Sequence, residues 1–233
     1  MIEEKEFEIY LYIEKNKYII FLFDPNKLTN VYKNEITFYE NIDIDFNELT
    51  NFLDNNIFKI EKLLGNFIKN VHIIAEDNLE LETDICIKKK NTDNKTNKKN
   101  LNQALLELKD LFKENNQDQD IVHMLIKNFI INGENHNFFI ENLNSDYLHL
   151  DVKFITLSER FISKLNNTLE KYQIKIKQII SGKYLKKLMK EKNIELSLMA
   201  HKIREGHNPN EIEIVPKTKL NKGFFEKFFQ LFS

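Results

Sequence analysis

Stretches with strand-like and helix-like spacing of apolar residues alternate along this chain. Phe7–Ile13 (FEIYLYI) and Tyr18–Phe23 (YIIFLF) are dense in β-branched and aromatic residues, and Asn16 and Lys17 separate them, which predicts a hairpin. Asp24-Pro25-Asn26 punctuates its end, and Val31–Tyr39 is a third strand. Asp45 or Asn47 then caps a predicted helix that runs to about Leu64, with Leu49, Phe52, Leu53, Ile57, Ile60, Leu63 and Leu64 at helical spacing. Val71–Ala75 and Leu79–Ile87 read as strands around Asp77-Asn78. The stretch Lys88–Asn100 holds no apolar residue, so it predicts a mobile loop that tolerates shortening. Leu101–Phe112 reads as an amphipathic helix. Ile121–Ile131, Asn137–Glu141 and Tyr147–Thr156 read as strands, with Asn132-Gly133 as a turn. Ser158 starts a helix through about Tyr172, Ile174–Ile180 is a strand, and Lys183–Glu205 is largely helical. From Gly206 to Lys222 the chain reads as a tether, with a short strand at Glu211–Val215.

The final segment, GFFEKFFQLFS, has a different pattern. Wound as a helix, Phe224, Phe225, Phe228, Phe229, Leu231 and Phe232 fall in an arc of about 160°, with Glu226, Lys227 and Gln230 opposite. Pro216, Lys217, Lys219 and Lys222 precede it. A narrow apolar face behind a basic tether predicts docking to a membrane surface or to a partner groove, and the membrane-binding set is Phe224, Phe225, Phe228, Phe229, Leu231, Phe232, Lys222 and Lys227. Each inserted Phe contributes at most about 1.5–3 kcal/mol, and ordering each residue costs about 1–2 kcal/mol. One tail therefore binds weakly, and stable recruitment needs self-association or a second contact.

Composition narrows the classes. The chain has 233 residues, 42% hydrophobic and 30% charged, which is ordinary for a globular protein with a real core. A net charge of −2 supplies no field for nucleic acid, so no nucleic-acid partner is expected. Cys86 is the only cysteine; it fits a reducing compartment and reads as a small buried strand residue. The opening MIEEKE lacks a signal-peptide pattern, and no run reaches the roughly 18 apolar residues of a membrane span. The expected location is cytoplasmic, peripheral on the inner face of the cell membrane.

The order of three strands, helix, two strands, helix, strands, helix, strand, helix resembles the first half of the bacterial cell-division actin homologue family FtsA. LNSDYLHLDVKFITLSERFISKLNNTLEKYQIKIKQIISGKYL resembles that family's final strand of the inserted 1C subdomain, the next helix and the strand back to the core. LGNFIKNVHIIAEDNLELETDICIKKK resembles the entry into the insert, and GFFEKFFQLFS resembles the membrane helix. The resemblance covers roughly Glu6 to Tyr184 plus the tail, and the pilus-assembly relative PilM shares much of the order.

The resemblance implies an α+β, mixed α/β fold: a partial actin-like, ribonuclease H-like core with an inserted SHS2-type subdomain. The implied segments are 1–69 for the first part of the core, 70–156 for the insert, 157–205 for the return to the core, 206–222 for the tether and 223–233 for the tail helix. The family's first hairpin carries an Asp-Ile-Gly-Thr phosphate motif whose glycine lets backbone amides approach phosphate. Here Tyr12 stands at the aspartate position and Glu14 at the glycine position, while Lys17 matches the family's turn lysine. The chain is also too short for the family's second domain, which completes the nucleotide site. No cofactor and no enzymatic activity are therefore expected.

Independent chemistry is sparse. The chain shows no GxxxxGK[ST], GxGxxG or GxSxG pattern. Its histidines show no HxxxH spacing and Cys86 has no CxxC partner, so no metal site is expected. His201 and His207 flank a helix end, and Asp43, Asp45, Asp118 and Asp120 read as caps or loop acids. The expected function is a non-enzymatic, membrane-tethered interaction protein of bacterial cell division, resembling a reduced FtsA. Its partners would be the inner membrane surface and division or envelope-assembly proteins. The alternative is a soluble protein-binding or pilus-assembly, PilM-like module whose tail docks on a protein.

Overall fold

The structure is a computed structural model that describes residues 7–39, 43–78, 80–91, 94–188 and 194–212. The described residues up to Glu80 and from Leu157 to Pro209 form one compact unit; those from Leu81 to Thr156 and from Asn210 onward form a second.

The first unit is built on strands β1 (Glu8–Glu14), β2 (Lys17–Asp24), β3 (Thr29–Thr37), β4 (Asn70–Glu76) and β9 (Lys175–Ser181). Their order in the sheet is β3-β2-β1-β4-β9. β2 pairs antiparallel with β1 and β3, whereas β1–β4 and β4–β9 are parallel. Only β2 therefore opposes the other four, which is the ribonuclease H-like arrangement that the resemblance implies. β4, read from the sequence as the start of the insert, is a central strand of this sheet. β1 and β2 are buried almost without a break, as strands covered on both faces must be.

Helices α1 (Phe46–Asp54), α2 (Ile57–Leu64) and α4 (Glu159–Glu170) belong to this unit, as do α5 (Gly182–Leu188) and α6 (Leu196–Arg204). Asp45 caps α1, accepting from the amides of Asn47 at 2.8 Å and Glu48 at 3.2 Å. Phe46 of α1 meets Phe161 of α4 at 6.0 Å, and the Tyr172 hydroxyl beyond α4 donates to Asp54 at 2.6 Å. The single helix expected up to Leu64 is split. The side-chain amides of Asn55 and Asn56 donate to the carbonyls of Asn51 at 2.9 Å and Phe52 at 2.6 Å, competing with the helix's own ladder. Asn56 is buried because the Tyr32 hydroxyl donates to its side-chain oxygen at 2.6 Å. Gly65 ends α2 in the left-handed region at φ 73°, which glycine adopts without strain.

The second unit runs strand–helix–strand–strand–strand: β5 (Leu81–Lys90), α3 (Lys98–Asn115), β6 (Gln119–Ile131), β7 (Glu134–His136) and β8 (Tyr147–Ser158), whose last two residues lie past this unit. β10 (Glu211–Ile212) adds to its edge, giving the order β10-β6-β8-β5, with β7 on β6. One face of the sheet is apolar. Leu148, Leu150, Val152 and Phe154 of β8 point at Ala104, Leu105, Leu108 and Phe112 of α3, and Phe112 stacks on Phe154 at 4.7 Å. The other face is a charge ladder, in which Lys127 bonds Asp84 at 3.0 Å and Lys153 bonds Glu82 at 2.8 Å. Cys86 sits on the exposed face of its strand, not in the core, because strand alternation puts Ile85 and Ile87 inward.

Two loop expectations change. Asn132 at φ 53° and Gly133 at φ 83° make the tight turn, but the strand after it is Glu134–His136, not Asn137–Glu141. Phe139 and Ile140 instead pack on the apolar core. The described residues of 88–100 are largely anchored. β5 extends to Lys90, and Asn91, Thr96 and Asn100 are buried. The Thr96 hydroxyl donates to Ile140 O at 2.7 Å and accepts from Leu143 N at 2.9 Å, and the Asn91 side chain donates to Ser145 O at 2.9 Å. Polar side chains that cannot join an apolar core here satisfy the backbone of the 140–145 turn instead.

Thr96→Val removes both of those bonds from partly buried backbone groups. It is expected to cost about 1–3 kcal/mol, read as a lower urea midpoint at unchanged m-value. Deletion of Asn91–Lys98 is expected to lower the melting temperature sharply, and a shortened chain that melts like the wild type would contradict this anchoring.

Candidate functional site

In a sheet of this kind, ligands bind outside the carboxyl ends of the parallel strands. Those ends are Glu14 of β1, Glu76 of β4 and Ser181 of β9, brought together by the pairs Glu14↔Glu76 and Ala75↔Ser181. Two carboxylates therefore meet at one sheet edge. The buried Tyr12 hydroxyl lies 2.8 Å from Glu14 Oε2 and 2.8 Å from Glu76 Oε1, and with one proton it donates to one of them at a time. Lys186 of α5 closes the knot: its Nζ lies 2.5 Å from Glu76 and donates to the Tyr12 oxygen at 3.1 Å. Burial, followed by the charge on Glu76, pushes the Tyr12 phenol well above its ordinary range and holds it neutral.

The chain around this knot is fitted to it. A side chain on Gly182 would put its Cβ 2.5 Å from Glu76 Cγ, so only glycine leaves room for the carboxylate. Ser181 caps the turn into α5 by accepting from Tyr184 N at 3.0 Å and donates to Glu80 at 2.9 Å. Lys183 donates to Asp77 O at 2.9 Å. Tyr12 and Glu14 are thus parts of a packed ion cluster, where the family motif would place an aspartate and a phosphate-binding glycine. No group of three or more metal-ligating side chains occurs among the described residues.

A second cluster lies at the other end of the same face of β1. Glu8 lies 2.6 Å from Arg204 Nη1 and 2.9 Å from His201 Nδ1, and accepts from the Tyr10 hydroxyl at 2.5 Å. Arg204 also donates to the Tyr10 oxygen at 3.1 Å. Burial would raise the Glu8 carboxyl, but the bonds from Tyr10 and Arg204 outweigh it and hold the group below its ordinary 4.5. His72 stacks on Tyr10 at 5.3 Å; burial, then the Arg204 charge, pushes it from 6.5 down to about 3. His201, read from the sequence as a helix-end residue, thus lies within hydrogen-bonding distance of Glu8 on β1.

In the second unit, His123 is buried and its Nδ1 lies 2.6 Å from Glu211, which helps pin β10 to β6. Lys17 pairs with Glu35 at 3.2 Å across the β2–β3 ladder, the ordinary role of a turn lysine. The tail residues Lys222, Phe224, Phe225, Lys227, Phe228, Phe229, Leu231 and Phe232 lie outside the described residues. Reading the sequence missed Glu76, Lys186, Arg204 and Glu8. The only signal was the run Glu8, Tyr10, Tyr12, Glu14, polar tips at a period of two on a strand too apolar to be exposed.

No family model and no curated protein matches the chain. Among solved structures, it is similar to the cytoplasmic domain of EpsL, an inner membrane component of the type II secretion system of Vibrio cholerae. That match has 7% identity and a TM-score of 0.36 over 76% of this chain and 56% of that one. It is also similar to a Bacteroides thetaiotaomicron protein with an actin-like ATPase fold and unknown function, with 15% identity and a TM-score of 0.29 over 81% of this chain and 58% of that one. The chain thus spans under two thirds of either protein's length, and neither overlay transfers a residue or an activity to it. Among the described residues, no helix is long and apolar enough to cross a membrane.

Two predictions arise from the clusters. Lys186→Met strips the counter-charge from the mostly buried Glu76 and is expected to cost on the order of 1–3 kcal/mol. Adding Glu76→Gln should recover part of that loss, so chemical unfolding of the four-member cycle reports a coupling; strict additivity would show that the knot contributes nothing. The second concerns pH. His72 and Glu8 both have folded values depressed below their unfolded ones, so the unfolded chain binds more protons and stability falls as pH falls. For His72 the loss runs from about 6.5 toward 3, and for Glu8 it begins below about 4.5. Melting temperature should therefore drop steadily from pH 7 to pH 4, and His72→Phe should flatten the part above pH 4.5.

Proposed function

We propose that this chain is a non-enzymatic interaction protein of bacterial cell division or a related envelope assembly. In this reading it is a reduced, FtsA-like chain held peripherally at the inner face of the cell membrane by residues 223–233. The observation that carries the proposal is the knot of Tyr12, Glu14, Glu76 and Lys186 at the carboxyl ends of β1 and β4. A phosphate-binding hairpin needs backbone amides free to approach an anion. Here two carboxylates stand at that edge, and the Lys186 ammonium is already paired with Glu76. An incoming polyphosphate would meet like charge and would have to break a packed pair.

The membrane half of the proposal rests on the sequence pattern. Phe225 and Phe228 sit in the middle of the tail's apolar arc, and lysines flank it, an arrangement that suits an anionic lipid surface. The ribonuclease H-like core then serves as a rigid scaffold for protein contacts.

Calorimetric titration with Mg-ATP is expected to give no measurable binding, and low-micromolar affinity would overturn the non-enzymatic reading. Co-sedimentation with anionic vesicles is expected to be lost in Phe225→Glu and Phe228→Glu at unchanged melting temperature. Lys222→Glu should weaken it less, by about 1 kcal/mol at low salt. A wild-type chain that stays in the supernatant at all salt concentrations would reject the membrane tether and favour the pilus-assembly-like reading, in which the tail meets a protein.

A further inference from the structure

β3 is the outer strand of the first unit's sheet, and its free edge has a specific pattern. Phe38 N donates to Asn16 O at 2.8 Å, which marks that residue pair as one that exchanges ladder bonds. Bonded pairs alternate along an antiparallel ladder, so Ile36, Asn34 and Tyr32 are the β3 residues bonded to β2. Lys33, Glu35 and Thr37 therefore aim their N–H and C=O groups away from the sheet. The register shift at Leu22/Phe23 breaks this run at Val31. Among the described residues no strand covers the edge, and the side chains beside it stay partly apolar in water: Val31 is 48% and Ile36 38% exposed.

An edge of this kind is ordinarily blunted by charged side chains, lysine above all. Here the two guards are opposite in sign and two residues apart. Consider the edge meeting itself about a two-fold axis. Three registers use the outward-facing groups of both Lys33 and Glu35. Centred on Lys33, the register sets lysine against lysine; centred on Glu35, it sets glutamate against glutamate. Centred on Asn34, it sets Lys33 opposite Glu35 of a second copy and Glu35 opposite its Lys33, with Tyr32 opposite Ile36 on the other face. Both charge pairs then fall at residue pairs whose amides and carbonyls face each other, so opposite charges and ladder bonds select the same register.

We propose that β3 pairs antiparallel with β3 of a second copy of this chain, centred on Asn34, joining two five-stranded sheets into one. The contact is small and reversible, a solution equilibrium. It deepens the proposed function only in its consequence, since a dimer would present two tails to one surface; it rests on the strand edge alone and holds whether or not the tail meets lipid.

The test is analytical ultracentrifugation of the full chain without vesicles, from micromolar to several hundred micromolar. The wild type is expected to show a monomer–dimer equilibrium. Lys33→Glu and Glu35→Lys, which set like charges opposite, should each raise its dissociation constant about tenfold or more. The double charge swap, which restores opposite pairs, should return it close to the wild-type value. A wild type that stays monomeric, or a dimer indifferent to the single changes, or one that the double swap fails to restore, would each overturn the proposal. Because Lys33 also pairs with Glu195 at 3.1 Å and Glu35 with Lys17 at 3.2 Å, a second readout uses the unaltered chain. Amide exchange at Lys33 and Glu35 should slow as concentration rises, while that of Asn34, already bonded to β2, should not change. Concentration-independent exchange at Lys33 and Glu35 would reject the pairing.

Discussion

The first unit depends on neutralising one polar row on a buried strand. β1 places Glu8, Tyr10, Tyr12 and Glu14 on the same face of a sheet that is covered on both sides. Ionised carboxylates in such a place are costly unless a cation and hydrogen bonds meet them. The cations come from far along the chain: Lys186 of α5 lies 174 residues from Tyr12, and Arg204 of α6 lies 194 residues from Tyr10. The N-terminal hairpin is therefore incomplete until α5 and α6 dock on it. Closing such long loops costs entropy before the contacts repay it, and the paired charges fix which helix covers which end of the strand.

That constraint reshapes the edge at which this type of sheet ordinarily works. The carboxyl ends of β1, β4 and β9 converge, and Gly182 leaves space there, yet the space is taken by the Glu76 side chain. Tyr12 bridges the two carboxylates and Lys186 pairs with Glu76. The arrangement ties the ends of β1 and β4 together.

The second unit solves a different problem with ordinary means. Its sheet is apolar on the face that meets α3 and charged on the other. Lysine and acid alternate across β5, β8 and β6, so the wet face carries neither a large apolar patch nor a field of one sign. The polar stretch after β5 contributes by bonding: Asn91 and Thr96 satisfy backbone groups of the turn before β8.

Much of the architecture was legible because it rests on local periodicity. The hairpin, β4, β8, α3, α4 and the caps at Asp45 and Ser158 follow from alternation, helical spacing and short side chains placed before an amphipathic run. The mixed α/β class was legible too, but the place of β4 in the middle of the first sheet was not, because strand pairing joins residues remote in the chain. What the sequence left open depended on partners remote in the chain. The break at Asn55-Asn56 needed Tyr32; the anchoring of Asn91 and Thr96 needed the 140–145 turn; the exposed face of Cys86 needed the position of α3. Nothing in the sequence marked Glu8 or Glu76 until the fold put Arg204, His201 and Lys186 within hydrogen-bonding distance of them. Periodicity is a property of neighbours in sequence, so the chain alone determines which faces are apolar. Charge compensation is a property of neighbours in space, so only the tertiary structure decides which carboxylate is buried, what neutralises it and which strand edge is left free.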